Sequence, residues 1–292
     1  MQVHKSVFSA MEIEILMIDN RGILKELFEQ GQIAFEYDDF LESAPEPVSQ
    51  ADIEDRIEGM LLGLAIGDAL GNTTEGLTPA ERQGTYGEIR NYLPNWYTEM
   101  RPVGLPSDDS QMAFWTLEEL IAAGGLVPDS LAMRFSEEKI FGIGQTVSQF
   151  VTAYKYLQEP WHHAGQPSAG NGALMRIAPV LIPHLRNPSP ALWADAALAG
   201  MITHNDRASN AVCVGFIHLL WETLRLTSAP DPVWWLETFS QAAVPLEGET
   251  NYVPRNTGIS YRGPVSKFAE VEAGKAIEEG LSSLEACETW HS

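Results

Sequence analysis

The chain has 292 residues, 45% of them hydrophobic, and its 40 acidic against 18 basic side chains give a formal net charge of −22. This charge argues against binding to nucleic acid or to an anionic membrane surface, because both require lysine and arginine. The sequence has two cysteines, no apolar run of the roughly 18 residues that span a bilayer and no apolar signal-peptide core after Met1, which together predict a cytoplasmic protein.

Residues 1–48 differ in composition from the rest of the chain. Ten acidic side chains occur among the first 50 residues, together with apolar clusters that a disordered segment would lack. The pattern predicts a short strand at 12–18, a short helix at 21–30 and a linker at 43–47. We therefore assign residues 1–48 to an N-terminal acidic extension, which either packs on its own domain or docks on another protein.

The main domain, residues 49–292, begins with a helix that carries an unusual glycine pattern. Apolar residues recur at helical spacing from Ile53 to Leu64, which predicts a helix with one buried face. Four glycines at every fourth position form one bare stripe on this helix: Gly59, Gly63, Gly67 and Gly71. A glycine costs about 1 kcal/mol relative to alanine in a helix interior, so we expect the backbone of another segment to approach this stripe closely.

The rest of the main domain shows helical periodicity that is interrupted by two long loops. The loops, 76–106 and 159–172, are rich in Gly and Pro, and loops of such length commonly carry function. β-branched alternation is sparse, so the main domain is expected to be mostly α. Helices are predicted at 107–123, 128–139, 145–157, 173–183, 189–202, 206–226, 232–243 and 267–284, with a short helical piece near 79–83.

Acidic side chains are concentrated at two predicted helix ends. Asp68 lies in the last turn of the first helix and Glu75 follows in the next turn, while Ser107-Asp108-Asp109-Ser110 opens a later helix. Hard cations such as Mg²⁺ or Mn²⁺ bind oxygen clusters of this kind. Serine and aspartate at a helix start are also ordinary caps, so these residues alone leave both interpretations open.

A glycine-rich loop and a histidine form a second candidate region. The loop from Ser168 to Gly172 enters a predicted helix, where backbone N–H groups commonly bind phosphate, although a tight turn without a ligand has the same pattern. His204, between two predicted helices, is either a hydrogen-bonded structural residue or a pocket group. The sequence contains no Ser-His-Asp or Cys-His signature.

Five short motifs follow one another in a characteristic order. They are Gly-Leu-Ala-Ile-Gly-Asp-Ala-Leu-Gly (63–71), Ser-Asp-Asp-Ser (107–110), Gly-Ile-Gly-Gln-Thr (142–146), Ser-Ala-Gly-Asn-Gly-Ala-Leu-Met-Arg-Ile-Ala-Pro (168–179) and Thr-His (203–204). In this order the sequence resembles the ADP-ribosylglycohydrolase family, especially the dinitrogenase-reductase-activating type, over about residues 52–226. The resemblance implies an all-α orthogonal multi-helix bundle and a dinuclear Mg²⁺ or Mn²⁺ site. It also implies hydrolysis of the bond between ADP-ribose and a protein side chain, commonly arginine.

The resemblance also implies a role for individual residues. Ser107, Asp108 and Asp109 match the family's Thr-Asp-Asp metal ligands. Glu75 matches the acidic residue that faces the scissile ribose, so Glu75 and Asp109 are expected to be catalytic. The residues expected to bind substrate are Asp68, Gly142, Gly144, Thr146, Ser168, Gly170, Asn171, Gly172 and His204.

One motif of the family is not found in this sequence. The family ends with a second acidic metal motif, Gly-x-Asp-x-Asp-Thr, which does not occur before Ser292. We therefore expect either a C-terminally truncated domain or a protein that has lost half of its metal site. Asp108 and Asp109 without the second motif would hold at most one weak, mostly hydrated ion.

Two alternatives to an active hydrolase arise from the same features. The acidic extension, with its aromatic residues, resembles the blocking arm of immunity proteins that neutralise ADP-ribosyltransferase toxins. In that interpretation residues 1–48 would plug the NAD⁺ site of the toxin. The second alternative is a protein that binds ADP-ribose without hydrolysing its bond. The expected partners are therefore an ADP-ribosylated protein substrate or such a toxin.

Overall fold

The computed structural model describes residues 19–253 and 261–291, and in these ranges the regular structure is helical apart from two isolated β-bridges. The prediction of an all-α protein is confirmed. The α-helices are α1 (Asn20–Glu29), α2 (Ile53–Gly71), α3 (Pro79–Tyr86), α4 (Asp108–Ala123), α5 (Pro128–Glu137), α6 (Gln145–Val151), α7 (Trp161–Ala164), α8 (Ala191–Met201), α9 (Arg207–Arg225), α10 (Pro232–Glu247), α11 (Val265–Phe268), α12 (Gly274–Glu278) and α13 (Ser283–His291). Short 3-10 segments cover Asp39–Glu42, Asn72–Thr74, Trp96–Thr98, Leu174–Arg176 and Ala178–His184, and π-helical turns cover Thr152–Tyr156 and Ala269–Ala273.

Helices α8 and α9 form the centre of the core. Every residue from Leu192 to Met201 is buried, so α8 is enclosed on all sides by other elements. Helix α9 contacts both α8 and α10. At 11 residues α8 is too short for a bilayer, and no helix in the described ranges has the length and apolar character needed to cross one.

The segment from residue 19 to residue 48 packs on this core. The indole N–H of Trp193 in α8 donates to the carbonyl of Ser43 at 2.7 Å, and that of Trp221 in α9 donates to the carbonyl of Glu46 at 2.8 Å. Both indoles are buried, so the chain of the extension supplies acceptors that they need. Residues 19–48 therefore pack on their own domain, which is the first of the two alternatives for the extension. The domain boundary near residue 48 stays a prediction.

A buried polar cluster attaches α1 to α8. The amide nitrogen of Asn20 donates to Asp195 Oδ1 at 2.6 Å and to the carbonyl of Leu126 at 2.9 Å. His184 Nε2 lies 2.9 Å from the second oxygen of Asp195. The predicted helix at 21–30 is thus present as α1 and is tied to the core, whereas the predicted strand at 12–18 lies outside the described residues.

The glycine stripe of α2 faces away from the core. Helix α2 packs on the core through Ile53, Ile57 and Met60. A Cβ atom placed on Gly59, Gly63, Gly67 or Gly71 would meet no described atom within 4 Å. The expectation of a close backbone approach is therefore wrong within the described part of the chain, because the apolar side chains on the other side of α2 make the core contact.

Two predicted helices differ in kind from those observed. The segment 173–183 forms two 3-10 segments instead of an α-helix, since Pro179 and Pro183 lack the N–H that an α-helix requires there. The helix predicted at 267–284 ends at Glu278, because Gly280 takes a left-handed φ of 69° and α13 begins after it.

The buried cluster around Asp195 predicts the effect of one substitution. Asn20→Ala should lower the free energy of unfolding by about 1–3 kcal/mol, because Asp195 and the Leu126 carbonyl would each lose a buried donor. Urea denaturation measures this change. Lys25→Ala, on the exposed side of α1, is the control and should change the free energy by less than about 0.5 kcal/mol. Equal stability of the two variants would show that this cluster does not hold α1.

Candidate functional site

Asp68 joins the end of α2 to the start of α4. Its Oδ2 accepts hydrogen bonds from Ser107 N at 2.7 Å, Ser110 N at 3.1 Å and Ser110 Oγ at 2.7 Å, and its Oδ1 accepts one from Ser107 Oγ at 2.7 Å. Ser107 makes no side-chain capping bond, so Asp68 supplies the acceptor that the first turn of α4 needs. Burial raises the pKa of Asp68, but these hydrogen bonds outweigh burial and the net pKa lies below its ordinary value.

The two helix ends form one wall of a cavity of about 620 Å³. This size lies within the range of small-molecule sites. Every residue expected to act at the site, except Ser168, lines this cavity: Asp68, Glu75, Ser107, Asp108, Asp109, Gly142, Gly144, Thr146, Gly170, Asn171, Gly172 and His204. The fold thus brings these residues together, and their individual chemical roles stay predictions.

Four carboxylates line the acidic side of the cavity, those of Asp68, Glu75, Asp108 and Asp109. Burial, together with the charges of Asp109 and Glu75, raises the pKa of Asp108 to about 6. Burial also raises the pKa of Asp109, with contributions from the charges of Asp68 and Glu75. Because burial and mutual repulsion both oppose ionisation, a divalent cation placed among these groups would stabilise their charged forms.

The donor atoms on this side are chemically suited to a hard cation. Ser107, Asp108, Asp109 and Glu75 offer oxygen atoms alone, which Mg²⁺ and Mn²⁺ prefer. In the described ranges, no group of three or more His, Cys, Asp or Glu residues is arranged to hold a metal ion. An ion bound here would therefore take further oxygen ligands from water or substrate.

The loop before α6 closes over Asp108. Gly142 has a φ of 80°, and a Cβ atom on it would lie 3.1 Å from Asp108 Oδ1, so both its backbone and its surroundings favour glycine. Gly144 is the N-cap of α6, and Thr146 lies in the first turn. Thr146 Oγ1 is 3.1 Å from Ser168 Oγ. This hydrogen bond connects the loop before α6 to the glycine-rich loop.

A short parallel bridge fixes the glycine-rich loop beside His204. Gln166 N donates to the carbonyl of Thr203 at 3.0 Å, and Asn205 N donates to the carbonyl of Gln166 at 2.9 Å. A Cβ atom on Gly172 would lie 2.7 Å from Cε1 of the His204 ring, so the loop can approach the ring this closely only with glycine. The imidazole therefore lies directly against the backbone of the loop.

Arg176, Thr203 and Arg82 are residues at or next to the site whose role the sequence did not predict. Arg82 of α3 lines the cavity, and Arg176 is completely buried next to Thr203. Burial and the positive charge of Arg176 lower the pKa of His204 to about 4, so the imidazole is neutral near pH 7. An arginine inside the otherwise apolar run of residues 173–179 is the sequence signal that could have identified Arg176.

A second cavity of about 770 Å³ adjoins the first. Thr146 and Gly170 line both cavities, and Ser168 lines this second one. The Tyr252 hydroxyl donates to Asp206 Oδ1 at 2.6 Å, which holds the tyrosine at the start of α9. The lining is rich in aromatic side chains: Tyr252, Tyr261, Phe268 and Trp290.

Comparison with known proteins identifies the family of this chain. The sequence profile of the ADP-ribosylglycohydrolase family matches residues 49–282. The chain belongs to the ADP-ribosylglycohydrolase family. A solved structure described as an ADP-ribosylglycohydrolase-related protein complex agrees with this fold at a TM-score of 0.55 and 28% sequence identity, over 81% of this chain and 80% of that one. The family predicted from the motifs is confirmed.

The sequence relatives of this ADP-ribosylglycohydrolase family member include two with named activities. The ADP-ribosyl-[dinitrogen reductase] glycohydrolase of Rhodospirillum rubrum is 31% identical over 56% of this chain and 55% of its own length. The ADP-ribosylarginine hydrolase Tri1 of Serratia proteamaculans is 30% identical over 61% of this chain and 50% of its own length. An uncharacterised protein of Archaeoglobus fulgidus is 29% identical over 78% of this chain and 80% of its own length. The chain thus spans about half the length of the relatives with named activities.

The acidic side of the cavity predicts a pH-dependent gain in stability. In EDTA at pH 7.5, Asp108→Asn should raise the free energy of unfolding by about 1 kcal/mol, because it removes a buried, repelled carboxylate. Since the folded pKa is about 6, above the value of about 3.9 for an unfolded aspartate, the ionised form destabilises the fold above pH 6 and not below pH 4. Urea denaturation at pH 7.5 and pH 5 should show a smaller difference at pH 5.

The control for this experiment is Glu159→Gln, which neutralises an exposed acid outside the cavity. Its effect on the free energy of unfolding should be within about 0.5 kcal/mol at both pH values. A gain for Asp108→Asn that is equal at both pH values would contradict the assignment of the raised pKa.

Proposed function

We propose that this chain removes ADP-ribose from a modified protein side chain, arginine in particular, with Mg²⁺ or Mn²⁺ as cofactor. The observation that carries the proposal is the shared cavity, which has carboxylates on one wall and the glycine-rich loop with His204 on the other. The first wall suits a cation that binds sugar hydroxyls, and the second suits phosphate. The name of the Serratia proteamaculans relative, an ADP-ribosylarginine hydrolase, supports arginine as the modified residue.

The two adjoining cavities suit the two ends of ADP-ribose. The distal ribose would face Glu75 and Asp109, and the diphosphate would lie along the backbone of Gly170 to Gly172. The adenine would then enter the second cavity, since Gly170 lines both. Aromatic rings such as Tyr252 and Phe268 offer faces on which a nucleobase stacks.

The proposed reaction requires a carboxylate that transfers a proton and carboxylates that hold the cation. Cleavage of a glycosidic bond passes through an oxocarbenium-like transition state. A bound divalent cation would orient the ribose hydroxyls and lower the pKa of water at the site. Glu75 is exposed to the cavity and would accept a proton from the attacking water. Asp109, ionised beside the cation, would help to hold it, and Glu75 would pass the proton that it has accepted to the departing guanidine.

A protein that binds ADP-ribose without hydrolysing its bond is the second candidate. One observation favours it: within residues 19–253 and 261–291 no group of three or more His, Cys, Asp or Glu residues is arranged for a metal ion. Catalysis would need the cation, whereas binding by the glycine-rich loop and the aromatic cavity would not. Calorimetry that shows ADP-ribose binding, combined with no turnover in Mn²⁺, would select this candidate.

The toxin partner and the cellular location stay predictions. Residues 19–48 supply hydrogen-bond acceptors to Trp193 and Trp221, so their deletion would disturb the core. A toxin-capture experiment should therefore delete residues 1–18 alone. The two cysteines are free thiols, in keeping with the predicted reducing cytoplasm.

Replacement of Glu75 tests the proposed hydrolysis. Glu75→Gln should lower kcat for the release of ADP-ribose from an ADP-ribosylarginine protein by about 100-fold or more, because proton transfer contributes at least that much. KM should change little, since the amide keeps the shape of the side chain. Glu159→Gln, at an exposed residue that does not line the cavity, should keep the activity of the wild type. Activity that survives both Glu75→Gln and removal of divalent cations by EDTA would refute the proposed reaction.

Replacement of Phe268 tests the position of the adenine. Phe268→Ala should weaken the binding of ADP-ribose about tenfold, because stacking of one base contributes about 1–3 kcal/mol. It should leave the binding of ribose 5-phosphate, which has no base, unchanged. Val271→Ala, an exposed residue of the same segment, is the matched control and should change neither affinity. Equal loss for both ligands would place the adenine elsewhere.

A further inference from the structure

Arg176 is a buried cation without a carboxylate partner in the described part of the chain. Its side chain is fully buried, and its guanidinium lies over the ring of Phe135 at 4.6 Å. A buried charge is costly unless it makes well-placed contacts, so the contacts of Arg176 indicate what it does. Nη2 donates to the carbonyl of Ala199 at 3.0 Å and to the hydroxyl of Thr203 at 2.8 Å.

The hydroxyl of Thr203 is fixed by these contacts. The oxygen of Thr203 accepts from Arg176, which has only donors, so the hydroxyl proton must find another acceptor. Nδ1 of His204 lies 2.9 Å from the same oxygen, and Thr203 is completely buried. The described residues offer this proton no other hydrogen-bond acceptor, so it points to Nδ1.

Other threonines in this protein show what Thr203 would do without Arg176. Thr116, Thr152 and Thr223 each donate their hydroxyl to the carbonyl four residues earlier, at 2.8, 2.9 and 2.7 Å. The corresponding carbonyl for Thr203 is that of Ala199, and Nη2 of Arg176 bridges this carbonyl and the Thr203 hydroxyl by donating to both. In the turn that follows α8, Arg176 thereby takes the place of the bond that these threonines make, and the hydroxyl of Thr203 turns toward His204.

We propose that Arg176, acting through Thr203, holds His204 as the neutral tautomer whose proton is on Nε2, so that this N–H donates into the cavity. Because Nδ1 accepts a hydrogen bond, it carries no proton. The single proton of the neutral ring therefore lies on Nε2. Nε2 faces the glycine-rich loop, 3.5 Å from where a Cβ atom on Gly170 would be. Arg176 and Thr203 are therefore positioning residues for a donor that His204 presents.

The acceptor for this donor is an anionic or hydroxyl oxygen of the substrate. His204 and the glycine-rich loop line the same part of the cavity, where the diphosphate is placed above, so this role rests on the proposed function. The tautomer itself is a property of the free protein and does not depend on any reaction. The tautomer of His204 and its contact with the substrate can therefore be tested separately.

Nitrogen-15 NMR of the histidine rings tests the tautomer in the full chain without ligand. The resonance pair lost in His204→Gln identifies His204. In the wild type we expect an unprotonated, pyridine-like Nδ1 and a protonated, pyrrole-like Nε2. The opposite assignment would overturn the proposal. The tautomer is read from the wild type, and His204→Gln serves only to assign the signals.

Three substitutions test the pathway to the ring. Thr203→Val keeps the shape of the side chain but removes the hydroxyl, and should give a mixture of the two tautomers. Thr203→Ser keeps the hydroxyl and should retain the wild-type tautomer. Arg176→Met should also give a mixture, because Thr203 can then donate to Ala199 and accept from Nδ1–H. Thr116→Val, an equally buried threonine away from His204, is the matched control and should leave the His204 signals unchanged. Unchanged signals in Thr203→Val would overturn the proposed pathway.

Binding of ADP-ribose tests the role of the Nε2 donor. Thr203→Val should weaken binding, measured by calorimetry, about twofold, because only about half of the mixed tautomers then present Nε2–H to the ligand, and Thr203→Ser should restore it. In the hydrolysis assay KM should rise while kcat changes little, since the contact is made in the bound ground state. A changed tautomer with unchanged affinity would overturn the assignment of this donor to the substrate. If ADP-ribose does not bind the wild type, the proposed function fails while the NMR result still decides the tautomer.

Discussion

The carboxylate of Asp68 is the contact on which the site depends. The first turn of a helix leaves N–H groups without partners, and in α4 the acceptor comes from the end of α2. The same bonds set the direction in which Ser107, Asp108 and Asp109 leave the helix start. The N–H groups of the first turn of α4 thus obtain their acceptor from a distant part of the chain. The acidic wall of the cavity therefore depends on the contact between the end of α2 and the start of α4.

The cavity combines two electrically opposite walls. On one side burial and mutual repulsion raise the pKa of Asp108 to about 6. On the other side lie the buried guanidinium of Arg176 and the neutral ring of His204. In a chain with a net charge of −22, Arg176, which has no carboxylate partner among the described residues, places positive potential next to the glycine-rich loop. A substrate with a diphosphate and a hydroxyl-rich sugar has groups suited to both walls.

The N-terminal segment makes hydrogen bonds to the turn that carries His204. Ala34 N donates to Asn205 Oδ1 at 2.9 Å, and Asn205 Nδ2 donates to the carbonyl of Gln32 at 2.7 Å. Asn205 follows His204 directly, so residues 32–34 help to fix the turn that carries the imidazole. The extension between residues 19 and 48 is thus part of the structure that orients the site, although its composition differs from that of the rest of the chain.

The sequence by itself determined the helical class, the family and many of the residues that line the cavity. Helical periodicity and the ordered motifs sufficed for this, since local spacing decides which residues share a helix face and which loop enters a helix. It could not determine that the glycine stripe of α2 faces outward, that Asp68 caps α4 or that Arg176 directs the hydroxyl of Thr203. Those facts depend on which residues from distant parts of the chain become neighbours. Only the tertiary structure decides them, because hydrogen-bond partners and burial are set by packing and not by spacing along the chain.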